Sequence, residues 1–275
     1  MSSRLIVNSI RHTGASADAI TLDSSGNATF PANVTCSGTA TGFGGRIQDN
    51  KIINGSMVCS QRETSTAISG DANKYGVCDR FKFRAKGGGA YTASQSTTTP
   101  DGFGNSLKID VTTADASLSG DDQAYVAHFI EAQNLQDLAF GTSAAKTITV
   151  SFYVRSNKTG NYNLAVQQAD NSYKQVSLQY TINSADTWER KTFSIAGDTS
   201  GVINNDNGTG LELYFWLAAG PTYTSGSTKS TWTAYSNGDT AAGQGVNLLD
   251  STSNEWYLTG VQLEVSDSAT DFAHE

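Results

Sequence analysis

The chain has 275 residues, of which 37% are hydrophobic and 16% are charged, and its formal net charge is -8 at pH 7. This length suffices for a buried core in one or two domains, and the aromatic and β-branched content exceeds that of disordered chains. The acidic balance excludes a nucleic-acid or anionic-membrane surface, because both partners need a concentrated positive face and the Lys and Arg residues are scattered.

The sequence shows no signal for export, membrane insertion or metal binding. Residues 1–14 lack the apolar segment of a secretory signal, and no apolar run approaches the roughly 18 residues of a spanning helix, so we expect a cytoplasm-like compartment and no membrane insertion. Cys36, Cys59 and Cys78 have neither CxxC spacing nor a histidine at metal-ligand distance in the sequence. We therefore predict three free, buried thiols and no metal site or cofactor.

Very short strands separated by turn residues are predicted in the first 45 residues, at 5–7, 19–22, 28–30 and 34–36. Such fragments cannot form a core alone, because a single copy leaves strand edges unpaired and apolar side chains in water. Several copies wrapped around a common axis remove both problems. The glycine-rich run at 37–45 lacks the spacing of a phosphate-binding loop, so we interpret it as the linker between a domain of residues 1–45 and one of residues 46–275.

Alternating apolar and polar residues predict β-strands throughout the second domain. The alternation is clearest over 148–155, where every second residue is Ile, Val or Phe. The same period recurs at 107–111, 164–166, 176–182, 211–217 and 261–265. Short turns such as 157–160 and 170–172 favour antiparallel pairing, and a helical turn is expected only around 133–140. The chain is therefore predicted to be all-β, with an antiparallel β-sandwich or jelly roll over residues 46–275.

Short segments spread over nearly the whole chain carry a family resemblance. In the second domain they are Ile53-Asn54-Gly55-Ser56 with Gln61-Arg62, residues 149–156, residues 186–189 with 195–199, and the C-terminal stretches 255–265 and 269–274. They resemble the C-terminal domain of tailed-bacteriophage fibre proteins, a jelly roll similar to carbohydrate-binding modules. Ser9-Ile10 and residues 23–30 resemble the virion-attachment and shaft segments of such fibres. At residues 57–60 the chain departs from the family, which often has an aromatic residue beside the Gln-Arg pair.

The resemblance implies a non-enzymatic, homotrimeric fibre protein of the virion. Its intertwined shaft, residues 1–45, would attach to other virion proteins, and its heads would contact host-surface polysaccharide, where three weak sites gain strength by avidity. A tail socket and a capsid socket are not distinguished by the residues, so a capsid fibre or decoration protein docked by its N-terminus is the alternative. A glycan-active enzyme is a third alternative, disfavoured by the shaft and the missing export signal.

Aromatic side chains are the candidates for a binding site, because sugar rings stack their C–H faces on Trp and Tyr. Residues 220–247 are predicted to form a long polar loop that presents Tyr223, Trp232 and Tyr235. Tyr173, at a hairpin turn, is a further candidate. The competing interpretation is that these aromatics anchor the loop to the sandwich or to a neighbouring subunit.

The remaining chemistry-bearing residues favour structural roles, and no catalytic residue is predicted. His128 lies in a strand-like run without a nucleophile turn or ordered acid partner, so we expect a hydrogen-bonded structural histidine. Asp121-Asp122 and residues 204–207 offer oxygen ligands without EF-hand spacing, which favours solvated turns over bound calcium. Trp216 alternates with core residues and is predicted to face outward. The family resemblance implies structural roles for Trp188 and Trp256.

Overall fold

The computed structural model describes residues 50–274 and, before them, residues 9–10, 13–14, 16, 20–22, 24 and 28–29. Two compact units divide the chain, Met1–Ile47 and Gln48–Glu275. The strands predicted at 5–7 and 34–36 and the linker predicted at 37–45 lie outside the described residues. The domain boundary predicted at residue 45 therefore stays a prediction.

The described part of the first unit is a small antiparallel sheet. It contains β1 (Ser9–Ile10), β2 (Ile20–Leu22) and β3 (Ala28–Thr29), in the order β1-β2-β3. β2 and β3 coincide with predicted strands, whereas β1 lies at Ser9-Ile10, where no strand is predicted and only the family resemblance applies. Ile10 is 50% exposed and Leu22 is 38% exposed, so a single chain leaves both apolar side chains largely in water.

The second unit is an antiparallel β-sandwich. Its strands are β4 (Ser65–Ile68), β5 (Asn73–Tyr75), β6 (Phe81–Lys86), β7 (Ala90–Ser96), β8 (Ser106–Thr113), β9 (Gln123–Glu131), β10 (Ile148–Ser156), β11 (Gly160–Gln168), β12 (Lys174–Ile182), β13 (Glu189–Ile195), β14 (Thr209–Ala219), β15 (Lys229–Thr233) and β16 (Glu255–Glu264). A six-stranded sheet, the small sheet, has the order β13-β10-β16-β8-β7-β4, and a seven-stranded sheet, the large sheet, has the order β15-β12-β11-β14-β9-β6-β5. The predicted antiparallel sandwich is confirmed.

Helical structure is limited to short pieces in the described residues. A 3-10 helix at Ala132–Leu138 confirms the helical turn predicted around 133–140. The other pieces are the α-helix α1 (Pro221–Thr224) and 3-10 turns at Asn237–Asp239 and Leu248–Asp250. Within the described part of the chain, no helix has the length and hydropathy needed to cross a membrane.

The hydrophobic core lies between the two sheets. Each strand alternates, so that its apolar side chains meet those of the opposite sheet. The ring of Phe152 from the small sheet lies 5.1 Å from that of Phe215 in the large sheet, with an interplanar angle of 84°. Trp256 is completely buried in this core, which confirms its structural role. Burial of each such side chain stabilises the fold by about 2–3 kcal/mol.

The prediction of buried cysteines is confirmed for Cys78 and wrong for Cys59. Cys78 is buried, and desolvation raises the pKa of its thiol to about 12. Cys59 is exposed, because it precedes the first strand of the sandwich and has no strand face that turns it inward. The Asn54 side chain binds the Cys59 backbone instead, accepting from its N–H at 2.8 Å and donating to its carbonyl at 2.9 Å. Cys36 lies outside the described residues.

Candidate functional site

The outer face of the large sheet carries a cluster of aromatic side chains. β9 and β14 are neighbours in this sheet, and each turns every second residue into the core. The intervening positions point away from the core and are occupied by Tyr125, Phe129, Tyr214 and Trp216. We call these four residues the aromatic face.

The rings of the aromatic face contact one another edge to face. The centroid of Tyr125 lies 5.0 Å from that of Tyr214 and 5.3 Å from that of Trp216, and Phe129 lies 6.1 Å from Tyr214. Such contacts place the positive edge of one ring against the negative face of the next and contribute about 0.5–1.5 kcal/mol each beyond burial. The face is therefore ordered before any ligand binds, which lowers the entropy lost on binding.

Parts of residues 220–247, which we call the cover segment, lie over one end of this face. Tyr223 in α1 places its ring 5.4 Å from Trp216, and Gln123 Nε2 donates to its hydroxyl at 3.2 Å. Ala241 packs against Trp216 as well. Trp216 thus faces away from the main core, as predicted, yet the cover segment leaves it only 4% exposed.

Amide side chains of β11 and β12 fix the cover segment to the sheet. Asn163, Gln175 and Gln179 donate to the carbonyls of Ala242, Ser236 and Gly243 at 2.7, 2.9 and 2.6 Å. Polar groups under the segment remain unsatisfied in the described structure: Asn163 Oδ1, Gln175 Oε1 and Trp216 Nε1. Buried polar groups of this kind usually have a protein or water partner in native proteins.

Tyr173 and Tyr235 stand at the rim of the aromatic face. Their rings are 6.2 Å apart, and they are 48% and 43% exposed. The Tyr235 hydroxyl donates to Asn237 Oδ1 at 2.7 Å, which orients the ring. Tyr173 has a φ of 56° in the hairpin between β11 and β12, a left-handed conformation that is uncommon for a bulky residue. Strain of this kind concentrates at functional sites.

These rings and nearby amides enclose a cleft of about 160 Å³. It is lined by Gln123, Tyr125, Gln167, Tyr214, Trp216, Tyr223, Tyr235, Asn237 and Thr240. None of these side chains carries a formal charge at pH 7. The cleft therefore offers flat apolar surfaces beside amide and hydroxyl groups, which suits a ligand that has both C–H faces and hydroxyls.

A carboxyl group of β14 is bonded to one of the rings that line the cleft. Glu212 accepts a hydrogen bond from the Tyr214 hydroxyl at 2.6 Å and is 7% exposed. Desolvation raises the pKa of Glu212, and this burial effect is partly offset by the Tyr214 hydrogen bond and by Lys82. Desolvation also raises the pKa of Tyr125 to about 12, so its hydroxyl stays protonated at neutral pH and is able to donate.

Three of the four residues predicted to bind a ligand are brought together, and Trp232 is not among them. Tyr223 and Tyr235 line the cleft, and Tyr173 contacts Tyr235. The predicted long loop contains β15, and Trp232 lies on this edge strand. Its Nε1 donates to the Ala196 carbonyl at 2.8 Å and its ring packs against Phe140 at 5.6 Å, so it anchors β15 to the sandwich.

The sequence prediction did not include Tyr125, Phe129, Tyr214 or Gln167. Phe215 and Leu217 were assigned to the core from strand alternation. The same alternation places Tyr214 on the outer face, so a usable signal was present. Which outward aromatics gather at one cleft depends on strand order, because β9 and β14 are adjacent in space but more than seventy residues apart in the chain.

His128 is a structural residue, as predicted. It is fully buried on the core side of β9, with its ring 5.0 Å from Phe81 and Nε2 within 3.2 Å of the Ile53 carbonyl. Desolvation lowers its pKa to about 4, so it is neutral at physiological pH. A neutral ring inside the core, remote from the cleft lining, takes no part in the candidate site.

The two acidic stretches considered as calcium sites form turns. Asp122 accepts from the Ser119 N–H at 2.6 Å, and Asp121 pairs with Lys86. Asp206 accepts from the Gly208 N–H at 2.8 Å within its own loop. No group of three His, Cys, Asp or Glu side chains converges as a metal site in the described part of the chain.

Comparison with known proteins gives structural likeness at low sequence identity. No protein-family model matches the sequence, and no curated protein sequence matches it. The enzymatically active domain of bacteriophage CBA120 tailspike protein 4 is similar over 79% of this chain, with 10% identity and a TM-score of 0.41. The match spans about a fifth of that protein, 21% of its chain.

Carbohydrate-binding modules are also among the similar structures. A CBM4 module matches 78% of this chain and 99% of its own, with 13% identity and a TM-score of 0.39. The family 11 module from Clostridium thermocellum in complex with a mixed-linked tetrasaccharide matches 76% and 98%, with 10% identity and a TM-score of 0.35. Similarity of this degree concerns sandwich architecture and assigns no ligand to the present chain.

Proposed function

We propose that this protein binds glycans in the cleft on the outer face of the large sheet. The observation that carries the proposal is that Tyr125, Tyr214, Tyr223 and Tyr235 line one uncharged cleft together with the amide side chain of Gln167. Sugar rings present C–H faces that stack on such rings, while their hydroxyls bond amide and phenol groups. The preformed ring contacts keep these groups in place before binding.

The proposed activity is binding without hydrolysis. Glycoside hydrolysis in most families requires two carboxyl groups on either side of the scissile bond. The side chains that line the cleft include no Asp or Glu, and the Glu212 carboxyl is bonded to the Tyr214 hydroxyl. We expect purified protein to release no sugar from a polysaccharide that it binds.

The proposed setting is a homotrimeric fibre of a tailed-phage virion that contacts host-surface polysaccharide. The resemblance of the sequence to phage fibres supports it, as do the exposed Ile10 and Leu22 of the N-terminal sheet, which further copies of the chain would cover. Three clefts on one fibre would raise the effective affinity for a repeating polysaccharide by orders of magnitude. Shallow individual sites would then suffice for attachment.

A glycan array probed with the full-length protein tests the binding proposal. Tyr125→Ala should abolish array signals, because it removes the ring that contacts both Tyr214 and Trp216. Tyr153→Ala, which removes a ring from the small sheet, is the matched control and should bind as the wild type does. Equal binding by both variants would refute the cleft as the site, and thermal unfolding of each variant checks that it is folded.

Electron cryomicroscopy of the intact particle tests the setting. Threefold density for this chain on the tail would support a host-attachment fibre, whereas density rooted on the capsid would favour the decoration-protein alternative. Light scattering of the purified full-length chain should give the mass of a trimer. A stable monomer would contradict both the assembly and the avidity argument.

A further inference from the structure

Lys82, on the outer face of the large sheet, is a cation that forms no ion pair with any residue that the structure describes. It lies on β6, opposite Tyr75 on one side and Ala127 on the other. Its Nζ is 5.4 Å from the Phe129 ring and 5.7 Å from the Tyr75 ring. Among the described residues, no carboxylate lies within the 4.0 Å of an ion pair with Lys82. The rings hold its ammonium in place without an ion-pair contact, and its charge acts at longer range on Glu212, whose pKa it lowers.

The neighbouring cations along β6 differ from Lys82 in this respect. Arg84 is paired with Asp71 at 2.5 Å, Lys86 is paired with Asp121, and Arg80 before the strand is paired with Glu131 at 2.6 Å. These partners neutralise the flanking cations. Carboxylates are plentiful in a chain with a net charge of -8, so a partly buried lysine that contacts two aromatic rings and no described carboxylate differs from its neighbours.

A second cation reaches the same exposed ring. Arg62 Cζ lies 5.8 Å from the ring of Tyr75, which is 43% exposed. The side chain of Arg62 is 59% exposed and makes only a loose pair with Asp79, at 3.5 Å. Arg62, Tyr75 and Lys82 together form what we call the basic edge.

The basic edge continues the aromatic face. The contacts run from Tyr214 to Phe129 at 6.1 Å, from Phe129 to Lys82 at 5.4 Å and from Lys82 to Tyr75 at 5.7 Å. β14, β9, β6 and β5 are consecutive in the large sheet, so Tyr75 and Tyr214 are three strand spacings apart, about 14 Å. A short oligosaccharide that lies across the strands would reach from the cleft to the basic edge.

We propose that the glycan is acidic, and that Lys82 and Arg62 bind its anionic group while uncharged sugars occupy the cleft. The inference rests on the proposed glycan binding and adds the class of ligand. An anionic group next to Lys82 would gain a charge-assisted hydrogen bond, and the two rings exclude part of the water that would compete. A net negative protein repels an acidic polymer, so recognition of one requires a local positive site.

The test is an array of bacterial oligosaccharides that contains neutral members and members with uronic acid or phosphate groups, probed with the full-length protein. Acidic members should bind at least about tenfold more tightly, in keeping with one charge-assisted bond. Lys82→Met keeps a long apolar side chain on the rings and removes the charge. It should weaken acidic ligands about tenfold and leave neutral ligands unchanged.

Lys74→Met is the matched control. Lys74 is also unpaired in the described structure and is adjacent to Tyr75, but its cross-strand partner is the core residue Phe83, so it points to the other side of the sheet. It should bind acidic ligands as the wild type does. Raising the salt concentration from 50 to 500 mM should weaken binding of acidic ligands by the wild type more than by Lys82→Met, in which only Arg62 of the two cations remains.

The possible outcomes separate the inference from the proposed function. Equal binding of neutral and acidic members, or no effect of Lys82→Met, would overturn the acidic-ligand inference while the cleft proposal stands. Loss of acidic binding in both lysine variants would overturn it too, since the effect would be one of net charge. An array on which no oligosaccharide binds would overturn the proposed function and the inference together.

Discussion

The two sheets of the sandwich both place aromatic rings on their outer faces, but they differ in what surrounds those rings. On the small sheet, Tyr257 donates to Glu255 at 2.7 Å and lies under the guanidinium of Arg155 at 4.9 Å, which leaves it 5% exposed. On the large sheet, Tyr125 and Tyr214 contact other rings and open onto a cleft. Strand alternation decides that a ring faces outward, and its neighbours decide whether it is a platform or a packing element.

The charged side chains of the two outer faces also differ in their ion pairing. The outer face of the small sheet pairs Lys108 with Glu255 at 2.5 Å and Arg155 with Asp186 at 2.9 Å. The cleft on the large sheet is uncharged, and Lys82 on the same face forms no ion pair with a described residue. A charge that is already bonded to a partner gains little from a ligand, whereas Lys82, which interacts with Glu212 only at a distance, is able to form a direct bond with an anionic group. The comparison predicts that ligands bind to the large sheet alone.

The largest effect that we expect is a loss of fold stability at acidic pH, which limits the pH range in which ligand binding to the two faces can be compared. His128 has a pKa of about 4 when folded, against about 6.5 unfolded, so the unfolded state binds more protons between these values. The contribution of neutral His128 to the free energy of unfolding is fully present above pH 6.5, and it should fall by about 3 kcal/mol as the pH drops to 4. Urea unfolding at several pH values measures this.

His128→Gln is the control, because it retains a donor toward the Ile53 carbonyl and does not titrate. The free energy of unfolding of His128→Gln should therefore lack the fall between pH 6.5 and pH 4 that His128 causes. The same slope in both proteins would assign the effect to other groups. Binding experiments on either face therefore belong near pH 7, where His128 is neutral.

Trp232 tests whether a partly buried aromatic of the large sheet, like the packed aromatics of the small sheet, stabilises the fold without contributing to ligand binding. Trp232→Ala removes the contact with Phe140 and the bond to Ala196, and should destabilise the fold by about 2 kcal/mol. Affinity for an array ligand should be unchanged, since the residue is not part of the cleft. Wild-type stability combined with lost affinity would reinstate Trp232 as a binding residue.

Tyr235 tests the platform itself. Tyr235→Ala should weaken binding about tenfold, near 1.4 kcal/mol, through the loss of one stacked ring. The ring is 43% exposed, so thermal stability should change little. Tyr257→Phe on the small sheet is the counterpart: it loses the bond to Glu255 and about 1 kcal/mol of stability, with affinity unchanged. Isothermal titration calorimetry measures the affinity of both variants. Unchanged affinity in Tyr235→Ala, or weakened affinity in Tyr257→Phe, would contradict the comparison.

The smallest effect concerns Tyr173 in its left-handed conformation. Tyr173→Gly relieves a backbone strain of about 1–2 kcal/mol, part of which is offset by the greater chain entropy of glycine. We expect the melting temperature to stay constant or rise, while affinity falls. A lower melting temperature with intact binding would show that Tyr173 serves the fold and not the ligand.

Much of the sandwich was predictable because strand alternation is a local property. The runs at 148–155 and 211–217 became β10 and β14, with Phe152 and Phe215 in contact in the core. The candidate site was only partly predictable. Tyr223 and Tyr235 were identified by their polar surroundings, but Tyr125 joins them through the pairing of β9 with β14, which no local pattern encodes. The loop assignment of Trp232 failed because β15 is a short edge strand with weak alternation.

The most direct test of the cleft as the binding site is a crystal structure of the full-length protein with the tightest-binding oligosaccharide from the array. The sugar should stack against Tyr125, Tyr214 and Tyr235, with an acidic group toward Lys82. Ligand density against Tyr257 and Arg155 on the small sheet would contradict the account.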